Sequence, residues 1–328
     1  MLIEWIGIDI TLISTFYQDN SASTIMDESL SQAIQKIEHL ATASKLKRFL
    51  HHPLKYVFAL FSRTLYYKLT KKGILINTKT AWNDPISVIL PAGTDIYLTG
   101  GKSDDSEIRL AKFIANILQP GDAFIDVGGH FGYYTLLAKQ CIGDQGRILT
   151  IEASPAIFKI LQRNISKHKN IIAVNAIANS TNELTSFYEF PVLQSEYNTI
   201  YPKQFESAEW FQSSTYTKSE LASVKLDDLL TQYQLAPKII KIDTEGAEYD
   251  VLKGCEEFLK SGIDCYITIE YLSATRDNTK HKQAVQFLNE LGYISYEIDA
   301  NGNLQLCANA DELLLKNNVE SEQLVFRK

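Results

Sequence analysis

From residue 106 onward the sequence switches repeatedly between a short apolar run and a longer amphipathic stretch, and this alternation narrows the fold more than any other feature. A short run with no polar face suits a strand buried on both sides, whereas apolar residues three and four apart suit a covering helix. Glu107 to Leu118 places Ile108, Ala111, Ile114 and Leu118 on one helical face, and Gln119-Pro120-Gly121 then stops it. Ala123 to Val127 predicts a strand, Tyr133 to Gln140 a helix, Arg147 to Ile151 a strand, Pro155 to Lys167 a helix, and Ile171 to Val174 a third strand. Lys238 to Ile242, Ala247 to Leu259, Tyr266 to Ile269 and Lys280 to Leu291 continue the alternation. The expectation over 106–328 is an α/β domain with a mainly parallel sheet and helices on both faces. Terminal strands Tyr293 to Ile298 and Gln323 to Phe326 are expected to close one edge as a hairpin-like pair.

Upstream, residues 1–75 read as a helical extension, with Ile34, Ile37, Leu40 and Leu46 at roughly helical spacing. Residues 76–105 read as a β-rich connector: Ile74 to Ile76 and Ile86 to Leu90 precede the Pro91-Ala92-Gly93 turn, and Asp95 to Leu98 follows it. Between 182 and 222 the pattern fades into a polar, aromatic, structure-poor insertion. Long insertions of that kind are either functional or simply surface loops. The functional reading gives Tyr197, Trp210, Phe211 and Tyr216 to recognition of a small-molecule or glycan partner.

Composition removes several classes. A net charge of −7 gives no general attraction to nucleic acid, and Lys45, Lys47 and Arg48 read as a solvated helix face. Four dispersed cysteines and six histidines without ligand spacing predict no metal site and no disulfide framework, hence a reducing, cytoplasmic setting. The stretch Met1 to Trp5 lacks the basic residues of a secretory signal. No apolar run reaches the ~18 residues of a membrane span. Tyr56 to Leu69, broken by Ser62, Arg63, Thr64 and Lys68, reads as a packed or interfacial helix. Oligomer formation stays open.

In parallel α/β sheets, ligands bind outside the carboxyl ends of the strands. The strand ending at Asp126-Val127 turns through Gly128, Gly129, His130 and Gly132 into a helix, and glycines let backbone approach a ligand. Glycines alone do not separate a dinucleotide from other adenosine ligands, but charge does. A pyrophosphate needs bare helix N–H groups, whereas here the carboxylate of Asp126 stands just before the loop and the G-x-G-x-x-G spacing fails. A cationic ligand without phosphate suits it better, and S-adenosylmethionine, with its ammonium and sulfonium, is one. Glu152, ending the second strand, would meet the ribose of either ligand class, and Ala153 follows it among the candidate cofactor-binding residues. At the end of Ile239 to Ile242, the period of two puts Lys241 and Asp243 on one face. Asp243 or Thr244 could instead cap the next helix. Glu270 ends the following strand, so if these two strands are neighbours, Asp243 and Glu270 lie close and one could act as a general base.

These stretches together resemble the FkbM family of S-adenosylmethionine-dependent methyltransferases. The resemblance runs from about 105 to 328, through Pro120-Gly121-Asp122, Asp126 to Thr135, Ile151 to Pro155, Val224 to Leu230, Lys241-Ile242-Asp243-Thr244-Glu245-Gly246-Ala247-Glu248 with Val251 to Gly254, and Glu270. The K-I-D-x-E-G-x-E stretch is its most specific part. Two positions depart: the family usually has a small residue, often Ala, at Gly129, and Asn at His130. That leaves His130 either donating to the methionine carboxylate or without a role. The resemblance implies a Rossmann-like class I sheet of seven strands and an O-methyltransferase acting on a sugar, polyketide or other natural product, with S-adenosylhomocysteine as by-product. Asp243, Glu270 and Lys241 form the expected catalytic group. A nicotinamide-dependent oxidoreductase and a non-catalytic binding module are the competing readings.

Overall fold

The computed structural model describes residues 29–206 and 208–328; the stretch Met1 to Trp5 lies outside the described residues. A helix over 29–42 buries Leu30, Ile34, Ile37 and Leu40, the face its spacing predicts. Leu46 is 67% exposed instead. Ser44 caps a new helix, Lys45–His51, and the periodicity restarts there. Helix Pro53–Phe61 then continues through a wide π-type turn, Ser62–Tyr66, into Tyr67–Thr70.

Strands β1 (Ile74–Lys79) and β2 (Pro85–Leu90) pair antiparallel. The strand expected over Asp95 to Leu98 is a helix, Thr94–Thr99. Four residues are too few to separate the two periods. Here Asp95 Oδ1 accepts the Ile96 N–H at 2.7 Å, and Gly100, at φ 84°, closes the turn.

The remaining strands are β3 (Ala123–Val127), β4 (Arg147–Ile151), β5 (Ile171–Val174), β6 (Ile177–Ala178), β7 (Leu184–Glu189), β8 (Thr217–Val224), β9 (Ile239–Ile242), β10 (Tyr266–Leu272), β11 (Ile294–Ile298), β12 (Leu304–Leu306) and β13 (Ser321–Arg327). Among the described residues the main sheet has the order β12-β11-β13-β10-β9-β3-β4-β5, eight strands rather than seven. From β10 to β5 the strands run parallel; β13, β11 and β12 are added antiparallel. The expected terminal pair exists as β11 on β13, but β13 lies inside against β10, and the short β12 forms the edge. Pairing with β13 also carries β10 past Glu270 to Leu272, so Glu270 sits at the end of the parallel ladder rather than at the end of its strand.

Alternate residues of the central strands enter two cores. Phe124, Ile148 and Ile239 face helices Asp105–Ile117, Tyr133–Ile142 and Pro155–Ile165. Ile125, Leu149, Ile240 and Ile242 face helices Leu226–Tyr233 and Thr279–Glu290. The single helix expected over Ala247 to Leu259 is two, Glu248–Lys253 and Glu256–Lys260. They part at Gly254, where a Cβ would stand 2.0 Å from the Asn179 carbonyl oxygen.

The insertion over 182–222 is more ordered than its sequence suggests. β7 and β8 pair antiparallel, and β6 joins β8 to form a second, three-stranded sheet. Its aromatic residues pack largely on one another: Tyr197 stacks on Trp210 at 5.2 Å, Phe211 on Tyr216 at 6.1 Å, and Phe190 touches Trp210, Phe211 and Tyr216.

Candidate active site

The chain passes from β3 through β4 to β5 on one side, then places β9 and β10 on the other, so the strand order reverses between β3 and β9. A crevice at the carboxyl ends of the strands follows from such a reversal. The pocket there is lined by Gly128, Gly129 and His130 after β3, Glu152 and Ala153 after β4, and Asp243 to Glu245 after β9, with Lys241 and Glu270 beside them.

The glycines are required by packing. Gly128 has φ 80°, and a Cβ on it would stand 1.9 Å from the Asp243 carbonyl oxygen. That close approach fastens the two halves of the crevice together, with the Asp243 N–H donating to the Val127 carbonyl at 3.1 Å. Gly128→Ala should therefore force β3 and β9 apart and weaken donor binding, with a strain of about 1–3 kcal/mol from the left-handed backbone alone. Unchanged affinity by titration calorimetry would refute this. Gly132 does not reach the pocket: it starts helix Tyr133–Ile142 at φ 87°, against Leu161.

Glu152 is 7% exposed, and its two carboxylate oxygens accept the N–H groups of His130 (2.9 Å) and Ser154 (2.8 Å). Burial pushes its carboxyl up to about 7 despite those bonds. The side chain is thus locked in place, with lone pairs left for the hydroxyls of a ligand. His130 holds φ 46°, and its Nε2 lies 3.4 Å from Ser195 Oγ. Burial lowers its pKa to about 4, so at neutral pH the imidazole offers one N–H and no charge.

Asp126 requires a correction. Its carboxylate does not line the pocket and is 1% exposed. β3 and β9 are in register with Asp126 beside Lys241, and the cation it meets is that ammonium, at 3.5 Å. Thr135 Oγ1 donates to its other oxygen at 2.6 Å. Lys241, also 1% exposed, lies 3.2 Å from Asp243 Oδ2 and over the ring of Tyr134 at 5.2 Å. Burial alone would lower the Lys241 pKa; Asp243, Asp126 and Glu107 more than offset it and hold the ammonium charged. Lys241 therefore positions Asp243.

The strands β9 and β10 are neighbours, as the proximity of Asp243 and Glu270 requires. Glu245 joins them, and one carboxylate oxygen from each of the three lies within 4.8 Å of the others, close enough to hold a cation. Burial, then repulsion from Asp243, pushes Glu270 up to about 8. Neither Asp243 nor Thr244 caps the next helix. Glu248 reaches back instead: its Oε1 accepts the Thr244 N–H and hydroxyl at 2.9 and 3.1 Å, and its Oε2 lies 3.2 Å from His281 Nε2.

Several wall residues come from outside the segments where the sequence pointed. Glu107 accepts the Tyr134 hydroxyl at 2.7 Å, Lys102 pairs with Glu196 at 2.7 Å, and Arg276 approaches Glu245 at 3.7 Å. The Lys102–Glu196 pair ties the insertion to the segment before helix Asp105–Ile117, across the pocket. Of the four aromatic residues named for recognition, Tyr197 lines the pocket; Trp210, Phe211 and Tyr216 support it from behind.

S-adenosylmethionine fits this pocket. A side-chain-free turn at Gly128 and Gly129 leaves room for it, Glu152 is held where it would accept hydroxyls, and Glu107 lines the wall that would meet its cationic end.

The sequence profile of the methyltransferase FkbM domain matches residues 126–295, just over half of the 328. Methyltransferase 1 of Beauveria bassiana is 30% identical over 152 residues, covering 42% of this chain and 60% of that protein. Methyltransferase sdnD of Sordaria araneosa is 30% identical over 170 residues, covering 44% and 64%. The chain thus aligns with less than two thirds of either relative's length. Among solved structures, Aeropyrum pernix fibrillarin with natively bound S-adenosyl-L-methionine aligns over 64% of this chain and 68% of its own, at 13% identity and a TM-score of 0.36.

Proposed function

The chain belongs to the FkbM methyltransferase family, whose methyl donor is S-adenosylmethionine, and on that premise we propose that it methylates a hydroxyl oxygen of a sugar, polyketide or other natural product. The observation that carries the acceptor class is the group of Asp243, Glu245 and Glu270 on the β9–β10 side of the pocket, with β3 between it and Glu152 after β4. A hydroxyl group both donates and accepts hydrogen bonds, and a cluster that holds an ionised carboxylate beside protonated ones offers both partners. The dehydrogenase reading falls with family membership. A non-catalytic module would bind the donor and transfer nothing.

When bound, S-adenosylmethionine supplies an electrophilic methyl group on its sulfonium. Gly128, Gly129, Glu152 and Ala153 hold its adenosine end, and Glu152 takes the ribose hydroxyls. His130 offers its single N–H to the amino-acid end. Asp243 takes the proton from the acceptor hydroxyl, while Lys241 fixes the carboxylate by pairing with it. The remaining work is positioning, which alone can lower a barrier substantially. Ser195, Glu196 and Tyr197 supply the insertion's side of the pocket wall.

Transfer of labelled methyl from S-adenosylmethionine to a panel of polyols, phenols, amines and carboxylates tests the proposal, with calorimetry of S-adenosylhomocysteine binding beside it. Labelled ethers of the hydroxyl compounds are the expected products. Transfer confined to amines or carboxylates would overturn the acceptor class. Glu152→Gln should weaken product binding by about 1.5–3 kcal/mol, the worth of hydrogen bonds to a charged group; full affinity in that variant would remove Glu152 from the ribose site.

A further inference from the structure

The helices over 45–70 carry apolar side chains on the side facing away from the protein. Helix Pro53–Phe61 and its continuation to Thr70 are anchored inward by Ala59, Ser62 and Tyr67, all buried. Outward they present Leu54, Val57, Leu60, Phe61, Leu65 and Leu69, of which Leu54 and Leu69 are 85% and 77% exposed. Soluble helices ordinarily turn polar residues to that side. Isolated exposed apolar residues need no explanation, whereas a contiguous run marks a contact surface.

Charge says what it contacts. Residues 39–83 hold nine of the chain's 32 Lys and Arg and none of its 39 Asp and Glu, in a protein of net charge −7. Lys45, Lys47, Arg63, Lys68, Lys71 and Lys72 are all exposed around the apolar run. A second copy docking through this face would set its exposed cations against the same cations of the first, since a twofold interface is self-complementary. An anionic surface is attracted instead. Among the described residues no helix is long and apolar enough to cross a membrane, which suits a helix lying in the interface plane.

We propose that this face docks the protein onto an anionic lipid bilayer, with the leucines entering the headgroup boundary and the surrounding cations meeting acidic headgroups. The negative charge of the rest of the chain disfavours other orientations on the same surface. Lys55 of the docking helix donates to the Tyr97 carbonyl at 3.2 Å, in helix Thr94–Thr99, whose Ile96 lines the donor pocket. Docking therefore sets the pocket one helix away from the lipid. The inference does not depend on the acceptor class proposed above.

Flotation of the full-length chain with vesicles tests it. The chain should float with phosphatidylcholine vesicles that contain phosphatidylserine at least ~10-fold more than with pure phosphatidylcholine, and high salt should release it. Leu54→Glu with Leu65→Glu should lower flotation ~10-fold or more, with circular dichroism and thermal midpoint unchanged, because both side chains are exposed. Charge reversal at Lys68, Lys71 and Lys72 should lower it ~5-fold per cation on the anionic vesicles. Three results would overturn the proposal: no flotation on anionic vesicles, flotation indifferent to both sets of substitutions, or a concentration-dependent dimer that Leu54→Glu abolishes. Flotation seen only after removal of residues 1–28 would overturn it too, and assign the face to that segment.

Discussion

Asp243→Asn is expected to lower turnover about 10²- to 10⁴-fold, the usual contribution of a positioned general base, while donor affinity stays within a few-fold. Asparagine keeps the shape at the end of β9 and cannot take a proton. Glu270, close enough to compete for the role, separates from Asp243 by pH. Its carboxyl is pushed up to about 8, so it carries a proton at neutral pH, and a protonated group is no base. With Glu270 as base, turnover at saturating donor would fall about tenfold per unit below pH 8, as its unprotonated form becomes scarce; with Asp243 as base, no decline set by Glu270 is expected. Glu270→Gln should cost much less than Asp243→Asn at pH 7. A tenfold-per-unit decline that disappears in Glu270→Gln would transfer the assignment to Glu270.

Lys241→Met should destabilise the protein by about 3–5 kcal/mol, read as a lower midpoint in urea denaturation, because it leaves an uncompensated buried charge. Methionine fills the volume, but Asp126, 1% exposed, would keep only the Thr135 hydroxyl as a partner. Asp243, at 25% exposed, retains access to water and suffers less. Neutralising the stranded acid identifies the cause: Asp126→Asn combined with Lys241→Met should recover a good part of the loss, so that the two substitutions are far from additive. A loss below about 1 kcal/mol in Lys241→Met would mean that the buried pair is replaceable by apolar packing. The same substitution frees the Asp243 carboxylate from its partner, so turnover should fall along with stability.

Position along the strands was the most readable part of the site. The end of β3, the end of β4 and the end of β9 are each local features, a buried run that stops at Gly128, Glu152 or Asp243. In a parallel sheet those ends share one side of the molecule. Glu107, Lys102 and Arg276 carried no such mark. They reach the pocket from segments far apart in sequence, and nothing in their neighbours signals it; Glu196 reaches it from the aromatic insertion, beside Tyr197. The aromatic insertion misled for a related reason. Trp210, Phe211 and Tyr216 have the composition of a binding surface, but their rings had each other to pack against, and Tyr197 alone of the four turned inward.

By itself the sequence determined that this is an α/β chain with glycines and acids where the strands stop, because hydrophobic period and turn chemistry act over a few residues. Tertiary structure decided whom each acid meets. Asp126 looks from the sequence like a partner for a cationic ligand, and it is the partner of Lys241. That outcome depends on β9 lying beside β3 in a register that sets Asp126 against Lys241, although they lie 115 positions apart in sequence. The same strand exchange brings Asp243 to Glu270 and Glu245. Local pattern encodes which strands exist; only the packing of helices on both faces selects which strands touch, and charge pairing follows from that choice.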